Sequence, residues 1–129
     1  MKNLSRKLIL LFFGILALTV ATQAQIPADI VNSLQKGDDS KLASYFNENV
    51  ELEVPARKDV YSKAQARLIV AEFFKMNKPK QFSIIHQDKK EEAQYAVGNL
   101  KTNTGVYKVY FLLKTRNNKS YIHQLRIWK

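Results

Sequence analysis

Two histidines, His86 and His123, have the most versatile chemistry of any side chains in this sequence. A shared metal ion or an acid–base pair requires both imidazole rings within a few ångströms of one point. His86 falls on the first of four predicted C-terminal strands and His123 on the last. Three strand spacings of about 4.7–4.9 Å separate the two positions by about 14 Å. We therefore predict no metal site, and we expect His123 to be either a hydrogen-bonded core residue or one wall of a pocket.

Carboxylates are the second group that could carry catalysis. An aspartate or glutamate in an apolar cavity acquires a raised pKa and can move protons near neutral pH. Glu51 and Glu53 alternate with apolar residues and are predicted to face solvent. Six other acids fall in a turn, at a helix start or off the apolar face of a helix: Asp88, Glu91, Glu92, Asp38, Asp39 and Glu72. No acid has a natural position inside an apolar cavity, so we predict no catalytic residue.

Motifs for nucleophilic or cofactor chemistry are absent from the sequence. There is no cysteine, which excludes thiol nucleophiles, disulfides and thiolate metal sites. Neither a Gly-x-Ser-x-Gly nor a His-Glu-x-x-His motif is present, and 4 glycines leave little for a phosphate-binding loop. We therefore predict no cofactor.

Aromatic residues remain as candidates for binding. A small apolar ligand could be held between aromatic side chains and oriented by tyrosine hydroxyls. The candidate lining residues are Tyr45, Phe46, Phe73, Tyr95, Phe111 and His123. The alternative is that the aromatic side chains fill the core of a small domain, which has few other ways to bury enough surface. We favour the second interpretation.

The N-terminus has the layout of a secretory signal peptide. A basic start precedes an uncharged apolar run over residues 8–20, and small residues at 22 and 24 fit a cleavage site after Ala24. The apolar run is shorter than the about 20 residues that span a membrane, although an uncleaved anchor remains the competing interpretation. We predict an exported protein, periplasmic or extracellular, without a stable membrane anchor after cleavage.

The length of the chain and its net charge limit the number of domains and the classes of binding partner. The chain of 129 residues fits one domain, here predicted over residues 25–129. Removing the three basic residues of the signal peptide lowers the net charge from +10 to +7. The remaining basic residues are scattered, and an exported protein does not meet nucleic acid, so we predict no nucleic-acid partner.

Helical signals are confined to the N-terminal half. The first predicted helix starts at Pro27 and ends at Gly37, a residue suited to a left-handed cap. The second follows residues 38–40 and has Leu42, Tyr45 and Phe46 at helical spacing. The third begins with a capping box, Ser62 to Gln65, and stops at 78–79.

Strand signals follow. Residues 50–54 alternate and predict a half-buried strand, and four further strands are predicted over 81–87, 94–102, 106–115 and 120–128. Three-residue loops at 103–105 and 117–119 set the register. They place Val97 opposite Phe111, Tyr95 opposite Leu113, Phe111 opposite Leu125 and Val109 opposite Ile127, so that odd-numbered residues form the apolar face.

An apolar stripe is predicted on the opposite face of this sheet. Its dimer-surface candidates are Tyr110, Leu112, Ile122 and Trp128. Large contiguous apolar patches are rare on monomers, which favours a homodimer through this outer face. The alternative is that these residues reflect β-propensity alone, and the sequence leaves both interpretations open.

Helices on one face of a mostly antiparallel sheet make an α+β domain. The order of elements, with a very short second strand near 59–61, resembles the nuclear transport factor 2-like (NTF2-like or SnoaL-like) cone. In that fold three N-terminal helices pack on a curved sheet. A closer resemblance is to a secreted bacterial family of unknown function, DUF4783. The matching segments are 45–46, 60–66, 86–87, 94–98, 107–113 and 124–127.

The resemblance implies a fold and a location but no reaction. Our sequence-based hypothesis is an exported, non-enzymatic domain that binds a small apolar ligand or a protein partner. The alternative is a cofactor-free enzyme of isomerase or dehydratase type with a site in the cone pocket. This alternative requires His86, His123 or a carboxylate to point into an apolar cavity.

Overall fold

The computed structural model describes residues 26–129, and the predicted signal peptide lies outside this range. The helices are α1 (Ala28–Lys36), α2 (Asp39–Ala43) and α3 (Lys63–Met76). The strands are β1 (Phe46–Val54), β2 (Arg57–Ser62), β3 (Pro79–Lys90), β4 (Ala93–Thr102), β5 (Gly105–Arg116) and β6 (Lys119–Trp128). This order makes an α+β domain, as predicted.

The six strands form a curved sheet in the order β2-β1-β6-β5-β4-β3. All neighbours are antiparallel except β1 and β6, which run parallel. The helices cover one face of this sheet, here called the inner face, and the other is the outer face. The core combines apolar side chains of the helices with alternate side chains of the strands, such as Leu34, Val70, Leu52, Phe111 and Leu125.

The local signals that predicted the helix ends are confirmed. Gly37 caps α1 in the left-handed conformation with φ 68°. The Asp38 side chain accepts a hydrogen bond from the Lys41 amide at 3.0 Å at the start of α2. The capping box of α3 is present in both directions between Ser62 and Gln65. These caps satisfy amides that the helix itself cannot pair.

The second helix ends earlier than predicted. Phe46 begins β1 instead of lying within α2, which was predicted to close at Asn47 and Asn49. The parallel pairing with β6 takes over here, since the Ile122 amide donates to the Tyr45 carbonyl at 2.7 Å. Phe46 lies opposite Ile122 and is buried on the inner face. Helical spacing in this segment was a misleading signal, since one buried aromatic residue fits either period.

The predicted register between β4 and β5 is wrong by one residue. Thr102 pairs with Gly105, leaving a two-residue turn that the Thr102 hydroxyl closes by donating to the Gly105 carbonyl at 2.8 Å. Ala96 therefore lies opposite Phe111, and Val97 lies opposite Tyr110. Because a one-residue slip exchanges the two faces of a strand, Tyr95 and Val97 lie on the outer face instead of the inner one.

The turn between β5 and β6 is also one residue shorter than predicted. Asn117 and Asn118 occupy it with φ 52° and 62°, as a type I′ turn requires. A β-bulge at His123 restores the alignment, since Leu113 pairs with Ile122 and Leu112 with Gln124. The predicted pairs Phe111–Leu125 and Val109–Ile127 are therefore confirmed.

Candidate functional site

The residues predicted to line a pocket have three different placements. Phe46, Phe73 and Phe111 are buried in the core, with exposed fractions of 1%, 6% and 0%. Phe73 packs edge-to-face on Tyr107 with ring centres 5.1 Å apart. These three rings are part of the buried core. This is the core-filling arrangement that the sequence favoured. Tyr95 and His123 lie outside this core, whereas Tyr45 is partly buried and packs against it.

Tyr45 is half-buried at the end of α2. Its hydroxyl donates to the Asp29 carboxylate of α1 at 3.1 Å. Burial raises the pKa of the Tyr45 phenol, and the hydrogen bond and charge of Asp29 raise it further. Lys41 also contacts this carboxylate, at 3.5 Å. The Tyr45 hydroxyl is therefore held as a neutral donor that joins the start of the β-sheet to α1.

The outer face carries a band of apolar and aromatic side chains across its central strands. Val97 and Tyr110 are paired across β4 and β5, and Tyr95 and Leu112 form the adjacent pair. The rings of Tyr95 and Tyr110 are 6.1 Å apart. Trp128, which is 39% exposed, lies diagonal to Tyr110 on β6. We call these five residues, Tyr95, Val97, Tyr110, Leu112 and Trp128, the outer patch.

Polar groups fix the position of the outer patch on both sides. A hydrogen bond of 3.2 Å joins His86 Nε2 and the Tyr95 hydroxyl on the β3 side. On the β6 side the Arg126 guanidinium lies over the Tyr110 ring at 5.7 Å and contacts Glu53 at 3.9 Å. Contacts of this kind hold aromatic rings in one orientation, as a recognition surface requires.

Charge is distributed unevenly over the outer face. Acidic side chains lie on β1 and β2, where Glu51, Glu53 and Asp59 line a groove of about 290 Å³ together with Lys58 and Arg126. Gln124 donates to Glu51 at 2.6 Å beside this groove. Two basic residues, Lys108 on β5 and Lys101 on β4, lie at the end of the outer patch where Lys108 pairs with Trp128. Carboxylates and lysines therefore border the outer patch at different places, with Glu51 and Glu53 toward β1 and Lys101 and Lys108 at the Trp128 end.

The predicted register assigned three residues to the wrong face: Ile122, Tyr95 and Val97. Ile122, predicted as a dimer-surface residue, is fully buried because the shorter turn moves it to the inner face. Tyr95 moves outward for the corresponding reason on β4. Val97 was missed entirely, because it was assigned to the core. Which face each of these residues occupies depends on the exact lengths of the β4–β5 and β5–β6 turns.

His123 occupies a different place from His86, as predicted from their strands. It lines an open pocket of about 420 Å³ at the turn end of the sheet. Burial lowers the pKa of the His123 imidazole, and the nearby charges of Lys114 and Arg116 lower it further. His123 is therefore neutral at neutral pH, and its pocket is charged instead of apolar.

Residues 26–129 also bear on whether the protein holds a metal ion or a membrane-spanning helix. Within this range no group of three histidine, cysteine or acidic residues is placed to hold a metal ion. In the same part of the chain, no helix has the length and apolar character needed to cross a membrane.

The fold is similar to that of designed NTF2-like proteins. A designed protein with a curved β-sheet shares the fold with a TM-score of 0.65 at 11% identity, over 79% of this chain and 96% of its own. A putative calcium/calmodulin-dependent protein kinase type II association domain from Thiobacillus denitrificans has a TM-score of 0.62 at 6% identity, over 78% of this chain and 88% of its own. At such identities the likeness shows the fold alone.

The chain belongs to the DUF4783 family, a domain of unknown function, whose family model matches residues 27–127. A DUF4783 protein from Bacteroides ovatus is 32% identical with a TM-score of 0.77, over 81% of this chain and 96% of its own. Another from Bacteroides fragilis is 29% identical with a TM-score of 0.76, over 80% and 97%. No curated protein matches the sequence.

Proposed function

We propose that this protein is an exported, non-enzymatic interaction domain that pairs with a second copy of itself through the outer sheet face. The observation that carries the proposal is the outer patch. Five apolar or aromatic residues lie together there on three adjacent strands, where a lone domain would be expected to present polar side chains. Trp128 and the tyrosines are of the types that concentrate binding energy at interfaces.

A second copy is the occupant that the charges favour. In a two-fold interface the same surface meets itself in opposite directions. A two-fold axis that passes near Tyr110 obliquely to the strands can set Glu51 and Glu53 on the β1 side of one copy over the Trp128 end of the outer patch of the other, where Lys108 lies. Such complementarity sets the orientation of the partners more than it adds affinity.

The positions of the predicted pocket residues also favour an interaction domain and not a domain with a ligand pocket. Phe46, Phe73 and Phe111 are packed into the core, so they are poorly placed to surround a ligand. His86 is exposed on the outer face and His123 lines a charged pocket. Neither histidine has the apolar cavity that the isomerase-type alternative requires.

Sedimentation velocity of the mature protein tests the pairing. We expect a dimer at about 0.1 mM protein, a concentration well above the Kd of an ordinary stable homodimer. Leu112→Glu is expected to weaken association by about 100-fold or more, because it buries two unpaired carboxylates across a two-fold interface. Met76→Glu, on α3 at 67% exposure, is the matched control and should sediment like the wild type.

Two results would contradict this proposal. One is a wild-type protein that sediments as a monomer throughout the concentration series. The other is a Leu112→Glu variant that remains dimeric while its circular dichroism matches the wild type, since the interface would then lie elsewhere.

Export belongs to the same proposal and rests on the sequence of residues 1–24. Intact-mass measurement of the protein recovered from the producing bacterium is expected to give the mass of residues 25–129. Recovery of a chain that retains residues 1–24 would overturn the assignment of a cleaved signal peptide.

A further inference from the structure

Four basic side chains gather at the turn end of the outer face. Lys114 pairs across the strands with Tyr121, and Arg116 pairs with Lys119 in the next row. The Arg116 guanidinium carbon lies 4.8 Å from the centre of the Tyr121 ring, and Lys119 Nζ lies 5.6 Å from it. Lys90 approaches from β3, paired with Ala93 opposite Lys114. One tyrosine ring is thus shared by two cations.

These cations have no carboxylate in ion-pair contact. The ion pairs within residues 26–129 all lie elsewhere, between Lys41 and Asp29, Arg67 and Asp39, and Arg126 and Glu53. Like charges held close together repel, and a bound anion relieves the repulsion. The cluster is therefore complementary to a ligand that brings negative charge.

His123 adds a neutral hydrogen-bonding group to the cluster. It is the extra residue of the β6 bulge and lines the 420 Å³ pocket together with Lys90, Lys114 and Arg116. Bulges commonly re-aim a side chain toward a site. Burial lowers the pKa of His123, and the charges of Lys114 and Arg116 lower it further.

Two acidic residues oppose this charge. Glu91 and Glu92 form the β3–β4 turn and line the same pocket. The Thr115 amide donates to the Glu92 carbonyl at 3.3 Å, which holds the turn against β5. The carboxylates reduce the positive potential of the pocket without pairing with its cations. We therefore expect a site of modest affinity.

We propose that this pocket binds a tetrahedral oxyanion, the phosphate or sulfate group of a monoester. Arg116 offers a planar fork that fits two oxygens of such a group, and Lys90 and Lys114 offer point charges. His123 offers a ring N–H to a third oxygen. The phosphate and sulfate esters share this geometry and charge, and the two are distinguished by direct titration.

The two histidines make the experiment specific, because the chain contains one in the pocket and one outside it. We would follow the imidazole signals by NMR at pH 7 while adding glycerol phosphate, with methyl sulfate in a parallel arm and sodium chloride at matched ionic strength. The His123 signals are expected to shift and saturate with a Kd of about 1 mM, in the range of a weak polar site. The His86 signals should not move.

Variants separate the site from general attraction to a basic protein. Arg116→Gln is expected to raise the Kd about fivefold or more, since it removes the bidentate donor. Lys78→Gln removes the same charge outside the pocket and should leave the Kd unchanged. A binding pH profile gives a second readout, because the pKa of His123 should rise when the anion is bound.

These measurements distinguish specific anion binding in the His123 pocket from a nonspecific effect of ionic strength. A saturating His123 shift with either ester supports the proposal, and the arm that saturates identifies the ester. Equal shifts with chloride, movement of both histidines together, or an unchanged Kd in a folded Arg116→Gln variant would each overturn it. So would saturation with acetate alone, which would indicate a carboxylate site.

Discussion

Replacing Phe111 by alanine lowers the free energy of unfolding by about 3–5 kcal/mol, the usual cost of removing a large ring from a packed core. Phe111 is completely buried on β5, with Ala96 opposite on one side and Leu125 on the other. Its ring therefore contributes to the contact between the sheet and the helices at the middle of the domain. Urea unfolding followed by circular dichroism measures the loss.

The control for this substitution lies on the same strand. Val106 is 51% exposed, so Val106→Ala should change the free energy of unfolding by no more than about 0.5 kcal/mol. A loss below about 1 kcal/mol for Phe111→Ala, close to the control, would be incompatible with a core position. The inner face of β5 would then have to be assigned differently.

Gly98→Ala is expected to be the most disruptive change of comparable size, with a loss of about 1–3 kcal/mol or more. Gly98 is buried on the inner face of β4, where the Phe82 ring covers it. An added Cβ would clash with that ring and would lie 2.7 Å from the Ser83 carbonyl oxygen. Because the second obstacle is backbone, rotation of a side chain cannot relieve it.

Calorimetry or urea unfolding of four variants separates the two clashes: Gly98→Ala, Phe82→Ala, the double variant and the control Asn99→Ala. Asn99→Ala, at the neighbouring residue on the outer face, removes the hydrogen bond that Lys108 Nζ donates to Asn99 Oδ1 at 2.7 Å and should cost about 1 kcal/mol. The double variant Gly98→Ala with Phe82→Ala should lose less than the sum of its parts, since the ring contact is counted only once. Strict additivity would mean that the Phe82 ring does not lie on Gly98.

Much of the fold was predictable because its signals are local. The capping box at Ser62, the left-handed Gly37 and the Asp38 cap act within one helical turn, and all are found in the structure. Alternation within β5 identified its inner residues correctly, since a strand with one buried face repeats every two residues. The order of these elements was sufficient to indicate an NTF2-like domain.

The relation between strands was harder to predict. A loop containing Asn103, Thr104 and a glycine fits a two-residue or a three-residue turn equally well by composition. The choice depends on the Thr102 hydroxyl, which bonds across the turn to the Gly105 carbonyl. The Thr104 amide bonds to the same hydroxyl at 3.1 Å. Because threonine is common at strand ends, its presence at position 102 does not by itself predict that its hydroxyl closes the turn.

The predicted positions of the candidate surface residues depended on the same turn lengths. Tyr110, Leu112 and Trp128 were identified because β5 and the end of β6 were aligned correctly. Tyr95 and Val97 were assigned to the wrong side with the rest of β4. The basic pocket around His123 depends on a bulge, which has no sequence signature of its own because it arises from the combined lengths of a turn and two strands.

The position of β6 has a consequence for how the chain acquires this structure. The last strand in sequence lies between β1 and β5, in the middle of the sheet. The parallel neighbour of β1 is therefore a strand that lies far from it in sequence, Phe46–Val54 against Lys119–Trp128. Contacts this distant in sequence slow folding. β1 and β2 therefore join the rest of the sheet only when β6 is inserted between β1 and β5, which makes this step a late one in folding.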